Sequence, residues 1–290
     1  MDLVSNKIPQ PGIRDVVDAI RSAQSILWKM GLTGVHDFDR RSCFMALQQL
    51  HRSHELKLRV VKSIHHEEME EVIGLGLRTG SGNDTLRIGS VKIFGDGALG
   101  PHSAAMLEPY LDDPENYGIL NAVVAGLYDY GRWATDNGLS LAVHAIGDHT
   151  NRAVLDQLAR IRGYEREKGY HPLRHRIEHV QLLHPADAPR LAELDIIASM
   201  QPIHVISDME MADRYWGDRC RGAYALRTQL DLGAHLAFGS DAPVDSPNPF
   251  LGLHAAVTRR RSNGYPGPDG WHPEQRLTLL EALEAAELLR

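Results

Sequence analysis

The chain has 290 residues, with 31 Lys or Arg against 38 Asp or Glu and a formal net charge of −7. Its length allows one large domain or two small ones, and its 43% hydrophobic content argues against disorder. The mild acidity argues against a nucleic-acid-binding protein, and no run of about 18 apolar residues predicts a membrane span. Two cysteines, Cys43 and Cys220, are too few for a disulfide framework and favour a cytoplasmic protein.

Apolar residues alternate along the chain between helical spacing and short β-rich runs. About seven strands are predicted, near residues 35, 60, 92, 142, 178, 198 and 237. Helices are predicted over residues 13–30, 44–50, 67–77, 122–137, 148–161, 185–194, 223–232 and 278–290. Asp148 is expected to cap the fifth of these helices, and residues 95–120 are predicted to form a long loop.

Strands that alternate with helices indicate βαβ units and a parallel sheet, either as a TIM-type (β/α)8 barrel or as a doubly wound sheet. The run Gly95-x-Gly97-x-x-Gly100 has the spacing of a dinucleotide-binding turn, but it opens a loop and not a helix. The barrel is therefore favoured over a nucleotide-binding sheet. No shift in composition divides the chain, so residues 1–290 are expected to form a single, incomplete barrel domain.

Four chemically active side chains fall at the predicted carboxyl ends of strands: Lys92, His144, His179 and Asp241. In a barrel these ends converge on one face and form the site. Imidazole nitrogens and carboxylate oxygens bind divalent ions such as zinc, which lower the pKa of bound water to roughly 7. A nearby aspartate can take up a proton and return it to a leaving group. The set therefore predicts metal-assisted hydrolysis.

Each of these residues also has a purely structural interpretation. Lys92 could pack its stem and extend its ammonium group to solvent. His144 and His179 could be hydrogen-bonded core histidines, and Asp241 could cap the turn before Pro243. Their shared place at strand ends favours the functional interpretation.

Six short motifs carry a family resemblance in chain order: GVHD from residue 34, VKIFGDGALG from 91, VHAIGD from 143, RIEH from 176, QP from 201 and GSDAP from 239. With them the chain resembles the amidohydrolase superfamily, and closely its amidohydrolase-3 (YtcJ-like) branch, over residues 14–282. The resemblance implies a distorted (β/α)8 barrel that holds one or two divalent metal ions, with zinc expected first.

The resemblance also implies roles for individual residues. His144 and His179 would bind one metal, and a carbamylated Lys92 would bridge both metals. Asp241 would bind the other metal and act as general base and acid. A metal-activated hydroxide would then attack an amide, a cyclic amide or another non-peptide C–N bond. Asp96, His102 and His204 are the candidates for substrate binding.

One feature departs from the family pattern. The family carries a His-x-His pair at the end of its first strand, and no two of the 16 histidines here are so spaced. The expectation is a member truncated at both ends that lacks strand one and the small flanking β domain. The alternative function is a non-catalytic barrel that binds a small molecule or a partner subunit.

The expected partner is a small-molecule substrate, with no nucleic acid and no membrane. A barrel short of one strand has two unpaired edges, and unpaired edges invite association. A homodimer is therefore expected as well.

Overall fold

The computed structural model describes residues 7–9 and 11–287. The chain divides into two compact units, Met1–Gly89 and Ser90–Arg290. A single barrel domain over residues 1–290 stays a prediction. No helix in the described part of the chain is long and apolar enough to cross a membrane.

The described part of the first unit contains two parallel strands, which pair with each other, and three helices. Strand β1 (Gly34–Asp37) pairs with β2 (Arg59–His65), with Gly34 opposite Arg59. The helices are α1 (Ile13–Lys29), α2 (Arg41–Arg52) and α3 (Met69–Gly74). Helices α1 and α2 bury their apolar faces in a common core, which includes Val17, Ala46, Leu47, Leu50 and Val60.

The second unit contains the remaining strands, each paired in parallel with the next along the chain. They are β3 (Leu86–Phe94, which begins in the first unit), β4 (Leu141–Ala145), β5 (Arg176–His179), β6 (Ile197–Met200) and β7 (Leu236–Phe238). The helices are α4 (Leu127–Asp136), α5 (Asp148–Lys168), α6 (Arg190–Glu193), α7 (Pro202–Trp216), α8 (Leu226–Asp231), α9 (Pro249–Thr258) and α10 (Leu279–Glu287).

The strands described here form a seven-stranded sheet whose order follows the chain. Parallel strands in sequential order, joined by helices, are the pattern of a TIM-type barrel with one strand fewer than eight. This confirms the predicted α/β fold class. Parallel pairing also brings the carboxyl ends of β3 to β7 to one edge, where the loops carry the candidate site.

The apolar periodicity of the sequence did not predict two of the observed helices, α7 and α9. Helix α7 buries side chains on several sides, among them Ile203, Val205, Met209 and Trp216, so it lacks a simple apolar stripe. Its side chains join a buried cluster that also contains Leu99. This packing fixes α7 against the long loop after β3. This packing matters for the site, because α7 begins directly after β6.

The cap predicted at Asp148 was wrong. Gly147 is the N-cap of α5, and Asp148 is its first helical residue. The Asp148 carboxylate instead accepts a hydrogen bond of 2.8 Å from the Leu107 amide and so ties down the long loop. Helix α5 also continues past residue 161 to Lys168 and ends at Gly169, whose φ of 68° suits a glycine.

Three other predicted helices begin with a 3₁₀ turn, namely His66–Glu68, Ala122–Val124 and Pro185–Asp187. The last predicted helix is observed over Leu279–Glu287, and residues 288–290 lie outside the described residues. Both cysteines are free and buried.

Candidate metal centre

The four residues predicted to form the site all lie at the carboxyl edge of the second unit's strands. Lys92 is two residues from the end of β3, His144 is in β4, and His179 ends β5. Asp241 follows β7 in a short turn. The imidazole rings of His144 and His179 touch edge to face, with centroids 4.5 Å apart.

The structure groups two of these residues with a third that the sequence suggested only for substrate binding. Ligand-type atoms of His179, His204 and Asp241 all lie within 4.8 Å of one another. His204 Nε2 is 3.7 Å from Asp241 Oδ2, and the rings of His204 and His179 stack with centroids 5.9 Å apart. Both histidines are buried, whereas the Asp241 side chain is 40% exposed. The cluster therefore has a buried imidazole wall and one carboxylate open to solvent.

His179 is in the form that a metal requires. Burial lowers its pKa well below the usual value, and the electrostatic influence of His144 and Lys92 acts in the same direction. The ring is therefore neutral at pH 7, and a neutral imidazole is the ligating species. Its Nδ1 atom is buried and has no hydrogen-bond partner among the described residues. A neutral imidazole grouped with a second imidazole and a carboxylate fits a divalent ion that accepts N and O donors.

His204 is held firmly from its other side. It lies in the first turn of α7, and its Nδ1 is 2.7 Å from Asp245 Oδ2. Ser207, one helical turn further on, donates a hydrogen bond of 3.2 Å to the same carboxylate. Burial lowers the pKa of His204, but the nearby carboxylates of Asp241 and Asp245 outweigh that effect, and the net shift is upward. The ring thus presents Nε2 toward Asp241.

His144 faces two oxygens of the loop after β3. Its Nε2 lies 2.8 Å from the Gly97 carbonyl oxygen and 3.3 Å from Asp96 Oδ1. Coordination through Nε2 would require the ring to give up these contacts. Its role as a ligand stays a prediction.

Lys92 is 5% exposed and lies among charged groups. Burial lowers its pKa, while the charges of Glu178 and Asp241 oppose that shift. Glu178 is itself paired with Arg176 at 2.5 Å and accepts a hydrogen bond from Ser199. Lys92 Nζ also lies 4.8 Å from the centre of the Phe94 ring. Burial thus disfavours the ammonium form relative to a lysine in water, and the neutral amine is the form that reacts with CO2.

Asp96 and His102 lie in the long loop after β3. The Asp96 carboxylate is enclosed and accepts hydrogen bonds from three backbone amides, those of Ala105, Ile146 and Gly147. His102 packs against the rings of Tyr110 and Tyr215 and lies 3.2 Å from Asp112. These contacts order the loop, and substrate binding by either residue stays a prediction.

Two members of the cluster have left-handed backbone. The φ angle is 76° at His179 and 55° at Asp241, a region that non-glycine residues rarely adopt. Such strain, of order 1–3 kcal/mol per residue, persists only where the surroundings enforce it, and it is concentrated at functional sites.

Solved structures share this fold. An uncharacterized metal-dependent hydrolase from Pyrococcus furiosus superposes with a TM-score of 0.83 at 29% identity, over 97% of this chain and 56% of that one. The zinc-complexed atrazine chlorohydrolase TrzN from Arthrobacter aurescens has a TM-score of 0.56 at 17% identity, over 94% of this chain and 58% of that one. The class of fold is thus that of the metal-dependent hydrolase barrels.

Sequence comparison identifies the family. The amidohydrolase family model Amidohydro_3 matches residues 1–286. YtcJ of Bacillus subtilis strain 168, which is named as an amidohydrolase, is 31% identical over 290 residues, 98% of this chain and 53% of YtcJ. LONG AFTER FAR-RED 3 of Arabidopsis thaliana is 35% identical over 217 residues, 74% of this chain and 36% of that protein. The chain belongs to the amidohydrolase family, as its motifs predicted, and spans about half the length of YtcJ.

Proposed function

We propose that this chain forms the metal-binding part of a hydrolase that cleaves non-peptide C–N bonds, amide or cyclic amide, in a small-molecule substrate. The observation that carries the proposal is the grouping of the neutral His179, whose Nδ1 has no hydrogen-bond partner among the described residues, with His204 and Asp241. It occurs in a chain of the amidohydrolase family. Buried imidazoles and a solvent-accessible carboxylate at one strand edge combine metal binding with access for a substrate.

The residues proposed to hold metal are Lys92, His144, His179 and Asp241, with Lys92 acting as its carbamate. Zinc is the divalent ion that best matches imidazole and carboxylate donors. When bound, it would lower the pKa of a coordinated water to roughly 7. Burial disfavours the ammonium form of Lys92, which supports carbamylation. His179 contributes a neutral nitrogen that needs no proton loss at pH 7.

Asp241 is the proposed general base and acid. Its side chain is 40% exposed and stands at the mouth of the cluster, where it can meet both water and substrate. The carboxylate takes a proton from the attacking water and then delivers it to the nitrogen of the leaving amine. A single group suffices for both transfers because the two steps follow each other at the same place.

A second candidate is a non-catalytic barrel that binds a small molecule or a partner subunit, and the missing His-x-His pair favours it. One assay distinguishes the hydrolase from the non-catalytic barrel. We expect the purified chain, loaded with zinc or manganese, to hydrolyse at least one member of a panel of N-acyl amines and cyclic amides. A chelator should abolish that activity. Full metal occupancy without hydrolysis of any member would favour the non-catalytic barrel.

We also propose that the chain forms a homodimer, since β1 and β7 each have one pairing partner in the described sheet. Multi-angle light scattering should give twice the mass of 32.3 kDa. A monodisperse monomer would contradict the dimer without affecting the proposed chemistry.

A further inference from the structure

We propose that His204 is a further metal ligand, beside His179 and Asp241, and that Asp245 orients it. This inference rests on the proposed metal dependence of the function. It changes the role of His204 from substrate contact to coordination. It also assigns a positioning role to Asp245, which no sequence motif indicated.

The distances support coordination over a direct hydrogen bond. His204 Nε2 and Asp241 Oδ2 are 3.7 Å apart, which is too long for a hydrogen bond. Two ligand atoms that share a tetrahedral zinc at about 2.0–2.1 Å stand roughly 3.3 Å apart. The observed separation is close to that value, and one ligand-type atom each from His179, His204 and Asp241 lies within 4.8 Å of the other two.

The contact between His204 and Asp245 leaves one ring nitrogen available. With Nδ1 held at 2.7 Å by Asp245, only Nε2 remains for a ligand, and it points to Asp241. Metal-binding histidines commonly have their other ring nitrogen hydrogen-bonded to a carboxylate, which fixes the tautomer and the orientation of the ring. Ser207 in turn hydrogen-bonds the Asp245 carboxylate.

The helix that carries His204 is itself immobilised. Pro202 occupies the first turn of α7, where its missing N–H costs nothing. The flanking side chains of Ile203 and Val205 are 3% and 0% exposed. Because the backbone is fixed by this packing and the ring by Asp245, His204 is preorganised. His144, by contrast, already has its Nε2 at 2.8 Å from a carbonyl oxygen.

The test is zinc titration by isothermal calorimetry on the metal-free chain and its variants. His204→Ala should weaken zinc binding about 100-fold, because a direct ligand is lost. Asp245→Ala should weaken it about 10-fold, in the range seen when a carboxylate behind a ligand histidine is removed. Asp245→Asn should recover part of that loss, since its amide oxygen can still accept from Nδ1.

The matched control is His235→Ala. His235 also pairs with a carboxylate, at 3.4 Å from Asp195, but both side chains are exposed and lie outside the cluster. The zinc affinity of His235→Ala should equal that of the wild type. Thermal unfolding of each variant without metal verifies that the folded state persists, so a loss of binding is not a loss of fold.

Cobalt(II) supplies a readout of coordination itself. The wild-type visible absorption should weaken in His204→Ala, because water replaces an imidazole and the coordination number rises. Wild-type affinity and an unchanged cobalt spectrum in His204→Ala would overturn the proposal, as would a wild-type chain that binds no metal. Wild-type binding with the expected loss in His204→Ala, but without any hydrolysis, would instead overturn the proposed function and keep the ligand assignment.

Discussion

Two clusters in this protein bring potential metal ligands together, and they differ in what surrounds those ligands. In the second unit, His179, His204 and Asp241 lie within 4.8 Å of one another, and in the first unit Asp37, Asp39 and Cys43 do the same. Distance alone does not separate the two clusters. The hydrogen-bond and ion-pair partners of their members distinguish them.

The cluster of Asp37, Asp39 and Cys43 already contains its own cation. Lys62 is 2% exposed, pairs with Asp37 at 2.6 Å and also donates to the Asp39 carbonyl oxygen. Burial and the Asp37 charge raise the pKa of the Cys43 thiol to about 12, so it stays protonated and donates to Asp37 at 3.6 Å. A protonated thiol is not a metal ligand. This cluster therefore orders the turn after β1, whereas His179 retains an orphaned nitrogen.

The largest expected effect is on catalysis. Asp241→Asn should lower the rate of metal-dependent hydrolysis about 1,000-fold, because an amide cannot take up and return the proton. Asp39→Asn, which alters a carboxylate of the other cluster, should leave the rate unchanged. Steady-state kinetics at saturating metal measures both. Equal losses in the two variants would remove the distinction between the clusters.

Zinc affinity should also distinguish the two clusters. His179→Ala should weaken zinc binding about 100-fold, since it removes the buried neutral nitrogen that faces the ion. Cys43→Ala should bind zinc as the wild type does. Competition with a chromophoric chelator gives both affinities, and a loss confined to Cys43→Ala would reverse the assignment.

The stability of the fold should depend more on the buried ion pair of the first-unit cluster than on an exposed ion pair. Lys62→Met should lower the free energy of unfolding by about 2 kcal/mol, because it leaves the half-buried Asp37 carboxylate without its cation. Arg40→Ala breaks the exposed pair with Glu67 at 2.9 Å and should cost less than about 1 kcal/mol. Urea unfolding compares the two. Equal costs would mean that burial does not strengthen the Lys62 pair.

The smallest expected effect is on thiol reactivity. Cys43 should react slowly with a disulfide reagent at pH 8 in the folded chain, since its raised pKa leaves little thiolate. Asp37→Asn should raise the rate a few-fold by removing a negative charge, while burial still limits access. Zinc should not change the rate. Protection of Cys43 by zinc would show that the first-unit cluster binds metal.

The fold was largely predictable because βαβ units leave a strong periodic signal. The strand ends at Lys92, His144, His179 and Asp241 could be located from short motifs alone, because parallel strands bring their carboxyl ends together. Helix α7 was missed, although Pro202 at its first turn is a helix-start signal. Without that helix, the sequence placed His204 only after Gln201-Pro202 at a strand end, as a candidate substrate contact.

The rest of the site depends on loop geometry that no local pattern encodes. Asp245 reaches His204 across 41 residues of sequence, through the turn that follows β7. The left-handed backbone at His179 and Asp241 is imposed by tertiary packing, since no local sequence motif marks it. The partner of a ring nitrogen, which decides whether it can bind metal, is visible only in the folded chain.

Anomalous diffraction at the zinc edge, from crystals of the zinc-saturated chain, tests the central claim most directly. The account predicts one strong peak bounded by His179, His204 and Asp241, with His204 coordinating through Nε2 and Asp245 still on Nδ1. It predicts no peak at Asp37, Asp39 and Cys43. A peak in the first-unit cluster, or a second-unit peak that His204 does not contact, would contradict it.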